Sequence, residues 1–232
     1  MSDTAAHPVT MGPPKPIVSG QYETREQQTE TAFIGMWLFL IQEIMFFGGL
    51  FVAYSVYRHK FPVTWFESSA HLNYWMGGTN TVVLLLSSVT MATTVYATQT
   101  GKRGMQLANL SATMALGTTF LVIKYFEYAE KWRHGLIPQL SWHPDPLGFT
   151  DPSHAQLFFI LYFIMSGMHA FHMIIGVSVG LIFLYYCWKR EYGPNKYLPV
   201  EMFGFYWHFV DIVWVFLFPM LYLVSAPGHM GQ

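Results

Sequence analysis

The chain has 232 residues, of which 53% are hydrophobic and only 11% charged, too few charges to coat a soluble globular surface. A formal charge of −1 leaves no electrostatic footprint for nucleic acid. A single cysteine, Cys187, excludes an intrachain disulfide and any centre built on paired thiolates.

In chain order, residues 1–30 are polar, carry Pro8, Pro13, Pro14 and Pro16, and lack the apolar core of a secretory signal. They read as an N-terminal tail, disordered over residues 1–20, with Gln21–Glu30 leading into the first helix. That helix is expected to act as its own membrane signal.

Beyond the tail, the apolar residues come in blocks long enough to cross a bilayer core, which takes about 20 residues in a helix. Spans are predicted at 31–57, 74–98, 106–132, 153–188 and 199–224, within a membrane domain of residues 31–225. A short C-terminal tail, 226–232, follows. The fold class is therefore an all-α integral membrane protein, a bundle of five transmembrane helices. Trp65, Trp75, Trp132, Trp142 and Trp188 fall near predicted span ends, where an interfacial aromatic belt would place them. Lys15, Arg25, Lys102, Arg103, Lys189, Arg190 and Lys196 share one side, and Arg58, Lys60, Lys131 and Arg133 the other. This bias predicts a cytoplasmic N-terminus and a C-terminus outside. The connection from Arg133 to Pro152 is too aromatic for a linker and is expected to be ordered by packing on the spans or on a partner. No internal repeat is visible, so the inverted-repeat architecture of many transporters is not supported.

Ionisable groups inside a bilayer need a partner or a purpose. Glu43 lies near the middle of the first span, as a proton-linked or lipid-facing carboxyl or as a hydrogen bond to another helix. Lys124 and Glu127 are three apart and can pair, with Glu130 continuing the row. His169 and His172 are also three apart and could bind a metal together, with His208 on a second helix; the competing reading is interhelical hydrogen bonding by neutral imidazoles. Glu201 opens the last span. Asp211 follows His208 by three residues and can orient it, as a proton relay or as a buried lock between helices. Gly77, Gly78, Gly117, Gly167, Gly176 and Gly180 suit close helix packing.

These segments resemble the subunit III family of haem–copper terminal oxidases, in its five-helix bacterial form. The segment Gly35–Gly48, with Glu43 before an aromatic pair, is similar to that family's first shared segment. Asn80–Ser88 and Gly117–Tyr128 are similar to its next helices, Ser166–Gly176 to its double-histidine signature, and Glu201 with Tyr206–Trp214 to its C-terminal signature. The resemblance covers residues 30–225. The family's long form has two further helices before these, with a lipid-filled cleft between the two groups; a cleft here would need a neighbouring chain or lipid as its other wall. Lys124 stands where the long form typically has glutamine, which makes the Lys124–Glu127 pair particular to this chain.

The resemblance implies an accessory, non-catalytic subunit of a respiratory, proton-translocating oxygen reductase in the bacterial cytoplasmic membrane. It implies no catalytic residue, metal or cofactor in this chain, with haems and copper in partner subunits. It implies contact with the catalytic subunit I and other oxidase subunits, bound phospholipid, and support of proton uptake. Glu43 matches the family's carbodiimide-reactive carboxyl. His169, His172, His208, Asp211, Glu127 and Glu201 match its recurrent polar positions. Lys189, Arg190 and Lys196 are candidates for anionic headgroups. The alternatives are an accessory subunit of a nitric-oxide reductase, a proton-coupled transporter, and a haem protein using His169 or His172 with His208.

Overall fold

The computed structural model describes residues 20–138, 141–142 and 149–225. The expectations for residues 1–19 and 226–232 lie outside them.

Helix α1, Arg25–Lys60, begins where Thr24 Oγ1 accepts from Gln27 N (3.1 Å) and Gln27 Oε1 accepts in return from Glu23 N (3.0 Å). It ends at Phe61 (φ −129°, ψ 60°), outside the helical region, which a following proline disfavours. Pro62 then opens α2, Pro62–Ala70, at the helix position where a missing N–H costs nothing. Helix α3, Tyr74–Gln99, is capped by the Asn73 side chain, which accepts from Trp75 N and Met76 N. A tight turn through Gly101, at φ +72°, reverses the chain into α4, Arg103–Arg133. After α4 a two-stranded antiparallel ribbon pairs β1, Leu136–Ile137, with β2, Ser141–Trp142. Asp151 caps α5, Pro152–Trp188, and α6 runs Leu198–Tyr222 with Pro219 in its last turn.

All the long helices, α1, α3, α4, α5 and α6, are long and apolar enough to cross a membrane. Their ends agree with the predicted spans to within a few residues, except that α1 starts six residues before its predicted span. The chain is thus an all-α, multi-pass membrane protein. A helix satisfies its own backbone, which is what lets it stand in hydrocarbon. Helices α3 to α6 form the compact part, with a core of Trp207, Trp214, Tyr162, Tyr222, Phe120 and Leu110. Helix α1 buries only Phe47 and Tyr54 against α5 and α6. Along its length Trp37, Met45 and Val52 are more than half exposed.

Two tryptophans of the connections depart from the sequence reading. The segment between the first two spans contains α2, which buries Trp65 completely against Tyr54, Tyr57 and Phe158. Trp65 is therefore a core residue and not part of an aromatic belt. Trp75, Trp132 and Trp188 are well exposed near helix ends, as a belt requires. The described residues of the connection after α4 pack on the spans: Leu136 and Phe149 are buried, and Trp142 stacks on Phe149 and leans on Phe159. Trp142 therefore also packs inward. Glu67 of α2 ties this connection down by accepting from Thr150 N (3.0 Å) and Thr150 Oγ1 (2.5 Å).

Candidate functional site

The intramembrane polar residues fall into separate clusters. At mid-height, Glu43 of α1 meets His172 of α5, Oε2 to Nε2 3.2 Å. The other ring nitrogen, Nδ1, lies 2.8 Å from the Met168 carbonyl, which can only accept. That contact assigns a proton to Nδ1, so a hydrogen bond between Nε2 and Glu43 would need one further proton, on the carboxyl or on Nε2. Phe47 and Phe171 flank the imidazole. Of the two readings of Glu43 from the sequence, the geometry bears on the second, through this polar contact with another helix.

The second cluster lies between α4, α5 and α6, toward the end that carries α2 and the ribbon. Lys124 Nζ donates to Glu127 Oε2 (3.0 Å) and to Tyr222 OH (2.6 Å). Glu127 Oε1 accepts from Tyr162 OH (2.8 Å) and Tyr222 OH (2.5 Å). The remaining side of the ammonium faces the Trp214 ring at 4.5 Å. All five side chains are essentially inaccessible. Every donor of Lys124 has a partner, and both Glu127 oxygens are used, the condition under which a buried ion pair is tolerated. Beside this cluster Tyr128 OH bonds Ser166 Oγ (2.7 Å). One turn on, Glu130 neighbours Lys131, whose ammonium is buried and donates to the His71 carbonyl (2.6 Å). Lys131 is therefore not a loop charge, as the sequence reading had it, but a clamp between α4 and the α2–α3 turn.

His169 lies between Phe120 (5.3 Å) and Trp214 (5.1 Å), fully buried, with neither ring nitrogen hydrogen-bonded among the described residues. The expected interhelical hydrogen bond of His169 is thus absent, because the ring faces an aromatic wall. His208 and Asp211 are also not paired with each other. His208 Nδ1 lies 2.8 Å from Ser88 Oγ on α3, and the Asp211 carboxyl is buried beside Ser87 and Ser88 without a hydrogen bond of ordinary geometry. A residue three positions away shares a helix face, but here the hydroxyl of the neighbouring helix is better placed. His169, His172 and His208 face α4 with α6, α1, and α3 respectively, and are not brought together. Among the described residues no group of three or more His, Cys, Asp or Glu side chains is arranged to hold a metal ion.

Glu201 and His208 line one open groove between α3 and α6. Of the basic residues at the end of α5, Lys189 lies over Tyr185 (4.6 Å), Arg190 takes the left-handed conformation at φ 65°, and Lys196 is held by Glu191 at 3.7 Å.

Tyr162, Tyr222, Ser87 and Ser88 complete these clusters and are not singled out by sequence, while Lys131 is read there only as a charge on one side of the membrane. The tyrosines sit inside apolar blocks, where a phenol reads as core or belt. The i, i+3 and i+7 spacing of Lys124, Glu127 and Lys131 was the available signal that the row extends.

Residues 142–226, spanning α5 and α6, match the family model described as cytochrome c oxidase subunit III. Over 194 residues, 83% of this chain and 87% of the relative, the sequence is 32% identical to the cytochrome c oxidase subunit 3 of Corynebacterium diphtheriae. The chain belongs to the cytochrome c oxidase subunit III family. Its relatives include cytochrome c oxidase subunit 3 of Synechocystis, 28% identical over 88% of this chain and 81% of that one. They also include that of Pelea capreolus, 31% identical over 81% and 67%. Membership in this family makes the chain a component of an oxidase complex. The matched region carries His169, His172, Glu201, His208 and Asp211, while Glu43 and the Lys124–Glu127 pair lie before it.

Proposed function

We propose that this chain is the accessory, non-catalytic subunit III of a respiratory haem–copper oxygen reductase in a bacterial cytoplasmic membrane. It binds the catalytic subunit I, with haems and copper in partner subunits, and supports proton uptake indirectly, by stiffening the flank of the catalytic core. The observation that carries this reading is how the family's polar positions are used. Glu43 of α1 meets His172 of α5, and Glu127 of α4 accepts from Tyr162 of α5 and Tyr222 of α6, so these positions join helices within a subunit whose family is that of oxidase subunit III.

In this reading the N-terminus is cytoplasmic. Burial of Lys131 supports it by removing one positive charge from the opposite loops and leaving Arg58, Lys60 and Arg133 there. Phospholipid covers the exposed flank of α1, and Lys189 and Arg190, free of carboxylate partners among the described residues, hold anionic headgroups with Lys196.

The test is purification of the tagged chain in mild detergent, with redox difference spectra before and after it is stripped from its partners. Oxidase haem in the complex and none on the stripped chain is the expected result. Haem retained by the stripped chain would make His169, His172 and His208 ligand candidates and overturn the reading.

A further inference from the structure

Resting on the reading above, we infer that the groove between α3 and α6 receives a membrane helix of a neighbouring oxidase subunit. That helix carries Lys or Arg opposite Glu201 and a hydrogen-bonding side chain opposite His208. The groove is lined by Ala92, Val95, Glu201, Gly204, Phe205 and His208 and encloses about 210 Å³, open to the outside of the bundle. The small Ala92 and Gly204 leave the groove open, and α6 lies close on α3 here: a Cβ on Gly204 would meet Val95 Cγ2 at 3.0 Å. Small residues at this kind of surface let a second helix backbone approach closely.

The chemistry of the lining is what selects the occupant. The Glu201 carboxylate has no hydrogen bond or ion pair among the described residues, unlike Glu43 and Glu127, which are both engaged within the chain. The imidazole of His208 uses Nδ1 on Ser88 and leaves Nε2 without a partner among the described residues. A carboxylate and a ring nitrogen facing an apolar surface are costly in hydrocarbon until something satisfies them. They are seven residues apart on α6, about 10 Å along its axis. That separation is too large for one metal ion and matches two side chains about two turns apart on a second helix. A lipid headgroup could reach Glu201 in the first turn of α6 but not His208 two turns deeper.

The test uses the intact complex. A photo-crosslinking phenylalanine analogue is placed at Phe205, on the groove, and in a control at Tyr125, on the outer face of α4. The expected product from position 205 is this chain joined to a different subunit of the oxidase, identified by mass spectrometry. The peptide joined to it should carry Lys or Arg. In addition, Glu201→Lys should lower the haem that co-purifies with the tagged chain by about tenfold or more, as juxtaposed like charges would. Glu201→Gln should lower it less. A product joined only to lipid, or only to a second copy of this chain, overturns the inference, as does the absence of any product when haem still co-purifies. Loss of haem from the tagged wild-type chain would instead overturn the functional reading itself.

Discussion

The Lys124 ammonium lies 4.5 Å from the centroid of the Trp214 ring. Tyr222 and Tyr162 rings also surround it, at 5.2 and 5.6 Å, and among the described residues the only full charge it touches is Glu127. An aromatic face attracts a cation without needing a second charge, so it suits a site from which water is excluded. Lys124→Met leaves Glu127 a buried carboxylate held only by two phenols; Glu127→Gln leaves a buried ammonium with neutral partners. Each is expected to destabilise the chain by about 3–5 kcal/mol, and the double variant by less than the sum. Thermal unfolding in detergent, followed by circular dichroism, measures this. Additive losses would show that the two residues act independently.

Glu43 and His172 give a different pattern. Because Nδ1 of His172 is occupied by the Met168 carbonyl, a side-chain amide at position 43 can donate to Nε2 as a protonated carboxyl does. Glu43→Gln is expected to preserve assembly and turnover-linked proton uptake. Glu43→Leu leaves the imidazole nitrogen unpaired at a cost of about 1–3 kcal/mol and should loosen α1 from α5. Haem yield and proton uptake in reconstituted vesicles measure both. Slowed uptake in a fully assembled Glu43→Gln complex would make Glu43 a proton carrier and not only a helix contact.

The contrast between these pairs shows what the sequence could and could not reveal. Span existence follows from block length, and Lys124–Glu127 follows from i, i+3 spacing, because both are local. The partner of Glu43 is local to nothing: His172 lies 129 positions away along the chain, and only the crossing of α1 with α5 joins them. His208–Asp211 had the same local spacing as Lys124–Glu127 and did not pair, since Ser88 on α3 competes successfully. Helix α2 was hidden because its apolar residues, Val63, Trp65 and Phe66, are too few to form a span. Trp65 at a span end fits a belt as well as a core.

A pH response is expected at the α2–α3 turn. Partial burial, then the nearby Lys131 ammonium and His134, hold the His71 imidazole below its usual range, with Glu67 opposing them weakly. The folded state therefore binds a proton less readily than the unfolded chain. The stability this gives is full above the unfolded value, about 6.5, and is lost as pH falls through the lower folded value. His71→Phe keeps the ring contact with Phe149 (4.9 Å) and removes the titration. Melting temperatures at about pH 7.5 and about pH 5.5 should differ less in His71→Phe than in the wild type. An unchanged difference would place the acid sensitivity elsewhere.

The last expectation concerns where the bundle is closest. A Cβ on Gly117 of α4 would lie 2.8 Å from Trp207 Cη2, and one on Gly180 of α5 would meet the Met114 sulfur, with Phe203 Cζ at 3.1 Å. The obstacles differ in kind. Met114 ends in a flexible thioether that can swing to another rotamer. Trp207 is a rigid ring, fully buried, fixed by its indole N–H on Ser87 Oγ at 3.1 Å and pressed against Gly176 on its other side. To make room at Gly117, the ring must shift and give up that hydrogen bond. Gly117→Ala is thus expected to cost about 1–3 kcal/mol, and Gly180→Ala to fall at or below the lower end. Melting curves of the two variants in the same detergent decide it. A larger loss for Gly180→Ala would mean that Met114 has no alternative rotamer and that α4 and α5, not α4 and α6, form the tighter seam.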